Sequence, residues 1–395
     1  MNILWLAPHP IPIEKNMHPA PWITSLATSL IASGHTVTIL AVSKKVDSPV
    51  VEYTNFPYKF IVVKAPSFYN DVFTLFSGRI NALSLYLKKN EKKYDLIHIH
   101  GTEHQLGTSY LKSSITTPAI ISIQGLIFEY KKYMREFISI PRFFWEVSSY
   151  YEKKEIKKAT YFFVRTHWDS FAVNNLNNHA VTFKVWELLR REFYDYKHQV
   201  GGNDIFFMGG TSSLKGFDFA IRVFDRLLSL DKSCKMHIVG KSSDKLIETY
   251  KKRYRLKNIH SNNLYIHGSL TAENITEIYK NCYCLYHPSL IDNSPNSVCE
   301  AQLVGLPVVA NNVGGVSSLI TQNETGLLVT PNQLEEHINT LLKLKIDTDL
   351  QLKISNESRN LASKRHNPET IVKATIAAYT QILSRNVDKS SIQSN

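Results

Sequence analysis

The chain has 395 residues, 43% of them hydrophobic and 20% charged, which is globular composition at a length suited to two domains. That excludes a disordered, collagen-like or coiled-coil chain, and no apolar run is long enough to cross a bilayer as a helix. The formal charge of +12, of which +8 lies in residues 1–200, suits nucleic acid, anionic lipid or a phosphorylated substrate and does not choose among them.

The N-terminus MNILWLAPHPIP has no basic leading segment, and its prolines fall where a secretory core would continue. Ile3–Ala7 is expected to be the first strand. Helical spacing of Leu26, Leu30 and Ile31 predicts a helix over Trp22–Ala32, stopped by Gly34, and Thr36–Val42 is the next strand. Further strands are expected at Phe60–Val63, Leu96–His100, Ala119–Ile123, Tyr161–Val164 and Val181–Phe183, with helices between. After the polar stretch 195–203 a second series follows: Ile205–Met208, Lys235–Val239, Leu264–His267, Cys284–His287 and Pro307–Ala310, with helices at Phe217–Leu228 and Ser297–Leu303. Strand–helix alternation of this kind predicts parallel, doubly wound sheets. The domains are expected at 1–195 and 196–365, followed by a helix over 366–386 and a polar, frayed tail over 387–395.

The cysteines Cys234, Cys282, Cys284 and Cys299 all lie in the second half. Without a secretory signal they are read as free buried thiols of a cytoplasmic protein. Residues 128–158 interleave Phe128, Tyr130, Tyr133, Phe137, Phe143, Phe144, Trp145, Tyr150 and Tyr151 with eight Lys and Arg. An anionic membrane surface suits that mixture; the alternative is a part-buried helix with a solvated lysine face. The basic excess is otherwise diffuse and no nucleic-acid module is legible, so no nucleic-acid partner is expected.

Residues 287–315, HPSLIDNSPNSVCEAQLVGLPVVANNVGG, are the most informative. Ser294 is expected to cap a helix with Pro295 at its first position. The free N–H groups and dipole of that helix start, with Asn293, Ser294, Asn296 and Ser297 around it, suit a phosphate. Glu300, about one and a half turns on, could accept both hydroxyls of a ribose, and Asp292 could meet a sugar hydroxyl. In IFFMGGTSSLKG, 205–216, a strand enters Gly209-Gly210 and Lys215-Gly216 opens a helix. No Walker A ending and no G-x-G-x-x-G occurs, which disfavours kinase and dehydrogenase chemistry.

These segments resemble the donor-binding signature of glycosyltransferase family 4, the group-1 glycosyltransferases with a GT-B fold. The pattern is two acidic residues separated by seven (Asp292 and Glu300), then Gly305-Leu306-Pro307-Val308-Val309-Ala310 and Val313-Gly314-Gly315. The resemblance implies two Rossmann-like domains facing each other across a cleft, the first for the acceptor and the second for a nucleotide sugar, with a C-terminal helix returning to the first. It implies that Lys215 binds the donor diphosphate and that Gly240 and Gly268 turn toward the base. Three positions depart from the pattern: Asp292 for the usual Glu, Gly210 for the usual Arg, and Gln124 for a frequent His. Either the backbone amides of Gly209 and Gly210 bind the phosphate instead, or Arg165, Arg190 or Arg191 is the substitute cation, and Gly209, Gly210 and Arg190 are all expected in the donor site. In the first domain GHTVTIL at 34–40 and DLIHIHG at 95–101 match the family, and HPAPW stands where it has a glycine pair. His18, Glu103 and Gln124 are expected on the acceptor side. His100, with Lys215, Asp292 and Glu300, is expected in the catalytic group.

The function implied is retaining transfer of a sugar from a nucleoside diphosphate to a hydroxyl of a glycan or lipid-linked glycan in surface-polysaccharide synthesis, at the inner membrane face. No cofactor beyond the donor is implied. A zinc reading of His98, His100 and His104 has no legible fourth ligand, so no metal is expected. A GT-B epimerase or phosphorylase, or a non-catalytic relative, remains the alternative.

Overall fold

The computed structural model describes residues 1–11, 20–134 and 140–393. The chain forms two compact units, Met1–Leu188 with His366–Asn395, and Leu189–Arg365. The expected junction at 195/196 falls instead at 188/189. The residues in between pack within the second unit, where Arg190 binds Glu300.

The first unit holds strands β1 Asn2–Leu6, β2 Thr36–Ser43, β3 Val50–Tyr53, β4 Lys59–Lys64, β5 Leu96–His100, β6 Ala119–Ser122, β7 Tyr161–Val164 and β8 Val181–Lys184. They form one sheet in the order β3-β4-β2-β1-β5-β6-β7-β8. Only the β3–β4 pairing is antiparallel. The central strands are buried on both faces, as in LIHIH and YFFV, because helices cover both sides of a parallel sheet. The final helix runs Pro368–Gln393, beyond the expected end at 386. It belongs to this unit: Tyr379 and Ile382 share a core with Trp5 and Ile39, and the Tyr379 hydroxyl meets His98 Nδ1 at 2.6 Å.

The second unit holds β9 Asp204–Met208, β10 Met236–Val239, β11 Leu264–Gly268, β12 Cys282–His287, β13 Val308–Asn311 and β14 Leu327–Val329. Their order is β11-β10-β9-β12-β13-β14, parallel throughout. Counted within the unit this is 3-2-1-4-5-6, the doubly wound order that binds ligands where it reverses, at the carboxyl ends of strands one and four. All four cysteines are free and buried, and burial pushes the Cys234 thiol up to about 12. Among the described residues no helix is long and apolar enough to cross a membrane.

The helix Ile140–Lys158 is fastened to the first unit by two carboxyl groups with no exposed surface. Glu152 accepts from the Thr102 hydroxyl (2.6 Å) and from the N–H groups of Ile127 (3.0 Å) and Phe128 (2.8 Å). Glu155 accepts from the N–H (2.8 Å) and hydroxyl (2.6 Å) of Thr108. Burial outweighs these donors and pushes Glu152 up to about 7 and Glu155 up to about 8. A raised native pKa means the folded state binds the extra proton, so this stability is present in acid and lost as pH rises through those values. The melting temperature should therefore fall between about pH 4.5 and about pH 8, and Glu155→Gln should flatten the fall. Thermal scans across that range, parent against variant, are the check; parallel profiles would contradict it.

Candidate functional site

The carboxyl ends of β9 and β12 carry the loops that hold most of the expected donor residues. β9 leads into Gly209 and Gly210. Gly210 has φ +56, and a Cβ there would lie 2.0 Å from the Lys241 carbonyl oxygen that follows β10. A side chain at this position would therefore clash. Gly210→Arg should cost at least about 3 kcal/mol of stability without tightening donor binding. Urea unfolding and a nucleotide titration on the same protein read both outcomes; a stable variant with raised affinity would contradict the steric account. Gly216, at φ +74, lies so close to the end of β12 that a Cβ would meet the Pro288 carbonyl at 2.0 Å.

That close approach brings two loops together. Leu290 N–H and the Ser289 hydroxyl both donate to the Leu214 carbonyl, at 2.9 and 3.0 Å. Lys215 Nζ then reaches Asp292 Oδ2 at 2.5 Å. The Asp292 carbonyl accepts from Gly315 N–H at 2.9 Å, so the Val-Gly-Gly turn backs this loop. Burial opposes charge on Asp292, but the Lys215 ammonium and then the His287 ring hold its carboxyl well below the usual carboxylate range. His287 Nε2 comes within 3.3 Å of Oδ2, outside good hydrogen-bond geometry. Burial lowers its pKa, which Asp292 partly restores, so the ring is neutral at neutral pH.

The helix after this loop runs Asn296–Val304. Pro295, not Ser294, is the N-cap residue, and no side chain caps it. With ψ 122, Pro295 is extended and turns the chain into the helix one residue later than expected. The Ser294 hydroxyl faces Cys299 Sγ at 3.8 Å. The N–H groups of Asn296 and Ser297 have no intrahelical acceptor, whereas those of Val298 and Cys299 donate to the Pro295 carbonyl at 3.0 and 3.1 Å. Asn293 is buried, its N–H 3.2 Å from Asp292 Oδ1.

Glu300 is 2% exposed. Arg190 grips it with both forks, Nε to Oε1 at 2.8 Å and Nη2 to Oε2 at 2.7 Å, and the guanidinium lies over the Phe193 ring at 4.6 Å. Burial pushes the Glu300 carboxyl up and Arg190 pulls it back; Arg190 is itself raised against its own burial. Two full charges in a bidentate pair account for both. Arg190 is therefore a partner of Glu300. Arg191 is exposed beside Asp195, and Arg165 pairs with Glu187 in the first unit at 2.6 Å. The backbone flanking Gly210 is that of Lys241, whose carbonyl accepts from Thr211 N–H at 3.1 Å. Sequence reasoning named Gly240 and missed its neighbour. Gly240 N–H donates to Gly268 O at 2.7 Å and Gly210 N–H to Val239 O at 3.0 Å. Gly268, Gly240, Gly210 and Asp292 therefore follow one another along the strand ends.

In the first unit, His100 ends β5, stacked on His98 at 3.9 Å and near Trp5 at 4.5 Å. Burial, then Arg165, holds its ring down to about 3. The ring is therefore neutral at neutral pH, with one nitrogen able to donate and the other to accept a hydrogen bond. It lines a cavity of about 30 Å³ with Ser122, Arg165, Trp186 and Glu187, which is space for one or two waters. Gln124 Nε2 donates to Glu187 at 2.7 Å, and Glu103 accepts from Gly125 N–H at 2.8 Å. His18 lies outside the described residues. Among those described, no group of three His, Cys, Asp or Glu could hold a metal ion.

Residues 190–361 match the family model of glycosyl transferases group 1. An uncharacterized glycosyltransferase of Haemophilus influenzae is 30% identical over 168 residues, 42% of this chain and 45% of that protein. The chain thus spans about half the length of that relative. Another, from Methanocaldococcus jannaschii, is 23% identical over 90% of this chain and 92% of its own. A UDP-Gal:alpha-D-GlcNAc-diphosphoundecaprenol alpha-1,3-galactosyltransferase of Escherichia coli is 33% identical over 22% of this chain and 21% of its own. Among solved structures, sucrose-phosphate synthase of Thermosynechococcus elongatus superposes with TM-score 0.78 at 17% identity, covering 97% of this chain and 99% of its own. Anabaena HepE in complex with UDP-glucose gives 0.67 at 15% identity, covering 99% of each. The two Rossmann-like units have the GT-B fold.

Proposed function

We propose that this chain, whose residues 190–361 carry a group 1 glycosyltransferase domain, transfers a sugar with retention from a nucleoside diphosphate to a hydroxyl of a glycan or lipid-linked glycan. Lys215 beside Asp292 at the switch point of the second sheet carries the reading. An ammonium has three N–H donors, so one bond to Asp292 leaves two for the departing diphosphate. The N–H groups of the Asn296–Val304 helix start add fixed positive dipoles. Four lone-pair sites on a carboxylate leave Glu300 two for a ribose diol beyond those Arg190 fills.

In the reaction the bond from the anomeric carbon to the diphosphate oxygen breaks and its electron pair stays on that oxygen. The acceptor hydroxyl forms the new bond, and its proton passes to the leaving phosphate. No protein base and no metal is invoked. The UDP-glucose of HepE and the UDP-galactose of the Escherichia coli relative favour a uridine donor. The diphosphoundecaprenol acceptor in that relative's name favours a lipid-linked acceptor in surface-polysaccharide synthesis. Gln124 and Glu103 are the proposed acceptor contacts. Following UDP release from a panel of UDP-sugars, with acceptors and with EDTA present, tests the reading. Acceptor-dependent release that EDTA leaves intact is expected; no UDP binding at all would overturn it.

A second reading, a donor-binding protein without turnover, is favoured by the burial of Glu300 under Arg190. UDP binding without transfer over a broad acceptor panel would select it.

A further inference from the structure

In the first unit, the turn Thr74-Leu75-Phe76 joins the helices Phe68–Phe73 and Ser77–Asn90. Leu75 and Phe76 both lie in the left-handed region, at φ +48 and +64, where non-glycine residues are strained. The surroundings hold the turn in place. Asp71, 1% exposed, pairs with Arg79 at 2.7 Å. Phe76 N–H donates to the Asp71 carbonyl at 2.6 Å, and the Phe76 ring packs on Phe144 at 5.4 Å. The result is that Phe73 is 84% exposed and Leu75 46% exposed. A pair of large apolar side chains held out by a locked, strained turn has no folding rationale.

The helix Ile140–Lys158 lies beside this turn, the Tyr151 hydroxyl donating to the Leu75 carbonyl at 2.8 Å. Its inner face is Ser148, Ser149, Glu152, Glu155 and Ile156. Its outer face shows Phe143, Tyr150, Lys153, Lys154, Lys157 and Lys158, with Phe143 49% and Tyr150 63% exposed. Glu146, the acid on that face, is already matched by Lys131 at 2.5 Å and Arg142 at 3.0 Å. Apolar tips and aromatic rings beside lysines that pair with no carboxylate among the described residues, Lys153 lying over the Phe128 ring at 5.3 Å, are the chemistry of a bilayer's interfacial zone.

We propose that the 73–76 turn and the outer face of the Ile140–Lys158 helix form a docking surface for an anionic phospholipid bilayer. Phe73 and Leu75 enter the interface, and the four lysines attract the headgroups. The surface stands independently of the donor reading, since no residue in it is assigned to nucleotide or sugar.

The test is sedimentation of the full chain with vesicles of phosphatidylcholine mixed with phosphatidylglycerol, against pure phosphatidylcholine. Binding to the mixed vesicles alone is expected. Each lysine near an anionic surface contributes about fivefold in partitioning, so K153E/K154E/K157E/K158E should lose more than about a hundredfold. F73S/L75N, which places in the left-handed region a residue suited to it, should lose at least about tenfold. Circular dichroism and UDP binding without vesicles show that both variants are folded; loss of UDP binding by the parent would overturn the donor reading and leave this one standing. Equal binding of the parent to both vesicles, no binding, or binding that either variant retains in full would overturn the proposal. So would vesicle binding abolished by soluble polyphosphate and indifferent to F73S/L75N, which marks a general polyanion site.

Discussion

Lys215→Ala should lower kcat by about 10²–10³ with a small change in the affinity for free nucleoside, because the ammonium acts where charge develops on the leaving diphosphate. The structure adds a second consequence. Asp292 owes its low pKa mainly to Lys215, and its other close partner, the His287 ring, is neutral. Without Lys215 the carboxyl moves upward, so Lys215→Ala should lose further donor contact as pH falls toward the ordinary carboxylate range. Stability should move in step: a depressed native pKa stabilises above the unfolded value, and that increment disappears with the lysine. Steady-state kinetics and a urea midpoint against pH, parent and variant, read both. A variant with undiminished kcat would remove Lys215 from the chemistry.

The Arg190–Glu300 pair should give the larger effect on folding and a distinctive one on binding. Glu300→Ala should abolish transfer and leave Arg190 buried without its carboxylate, at a cost of about 3–5 kcal/mol. Arg190→Met leaves the acid in place and removes what pulls its pKa down. Burial alone then pushes Glu300 upward. Its carboxylate, the better acceptor for a ribose diol, is lost as pH falls through the raised pKa, so the donor KM of the variant should improve as pH rises. Its stability should do the opposite, because a raised native pKa stabilises at low pH. A merely structural arginine would depress activity and stability together at every pH. The double variant R190M/E300M should regain much of the lost stability, since two apolar groups leave no charge stranded, and it should stay inactive.

What the sequence made legible follows the physics of each element. The central strands could be placed because parallel strands covered on both faces read as apolar runs. β3, Val50–Tyr53, escaped notice because it is four residues long, half exposed and on an antiparallel edge. β14, Leu327–Val329, has only three residues. The donor loops were legible as motifs because their chemistry is local: a lysine opening a helix, acids at fixed spacing. Partners across the chain were not. Glu300 is paired with a residue 110 positions away, and the reason for glycine at 210 is a carbonyl on the neighbouring strand. Ser294 was misassigned as a cap because Pro295, itself extended, takes that position.

The last helix, through Tyr379 on His98, completes the core of the unit that the chain begins. During synthesis that core must wait for a helix made only after the whole of the second unit. The second unit, continuous from Leu189 to Arg365, is fully emerged well before. Folding from the N-terminus onward, usual for successive domains, is thus reversed here: the half translated second is the first that can finish. Truncation of the chain before Pro368 would orphan the opening half and spare the later one.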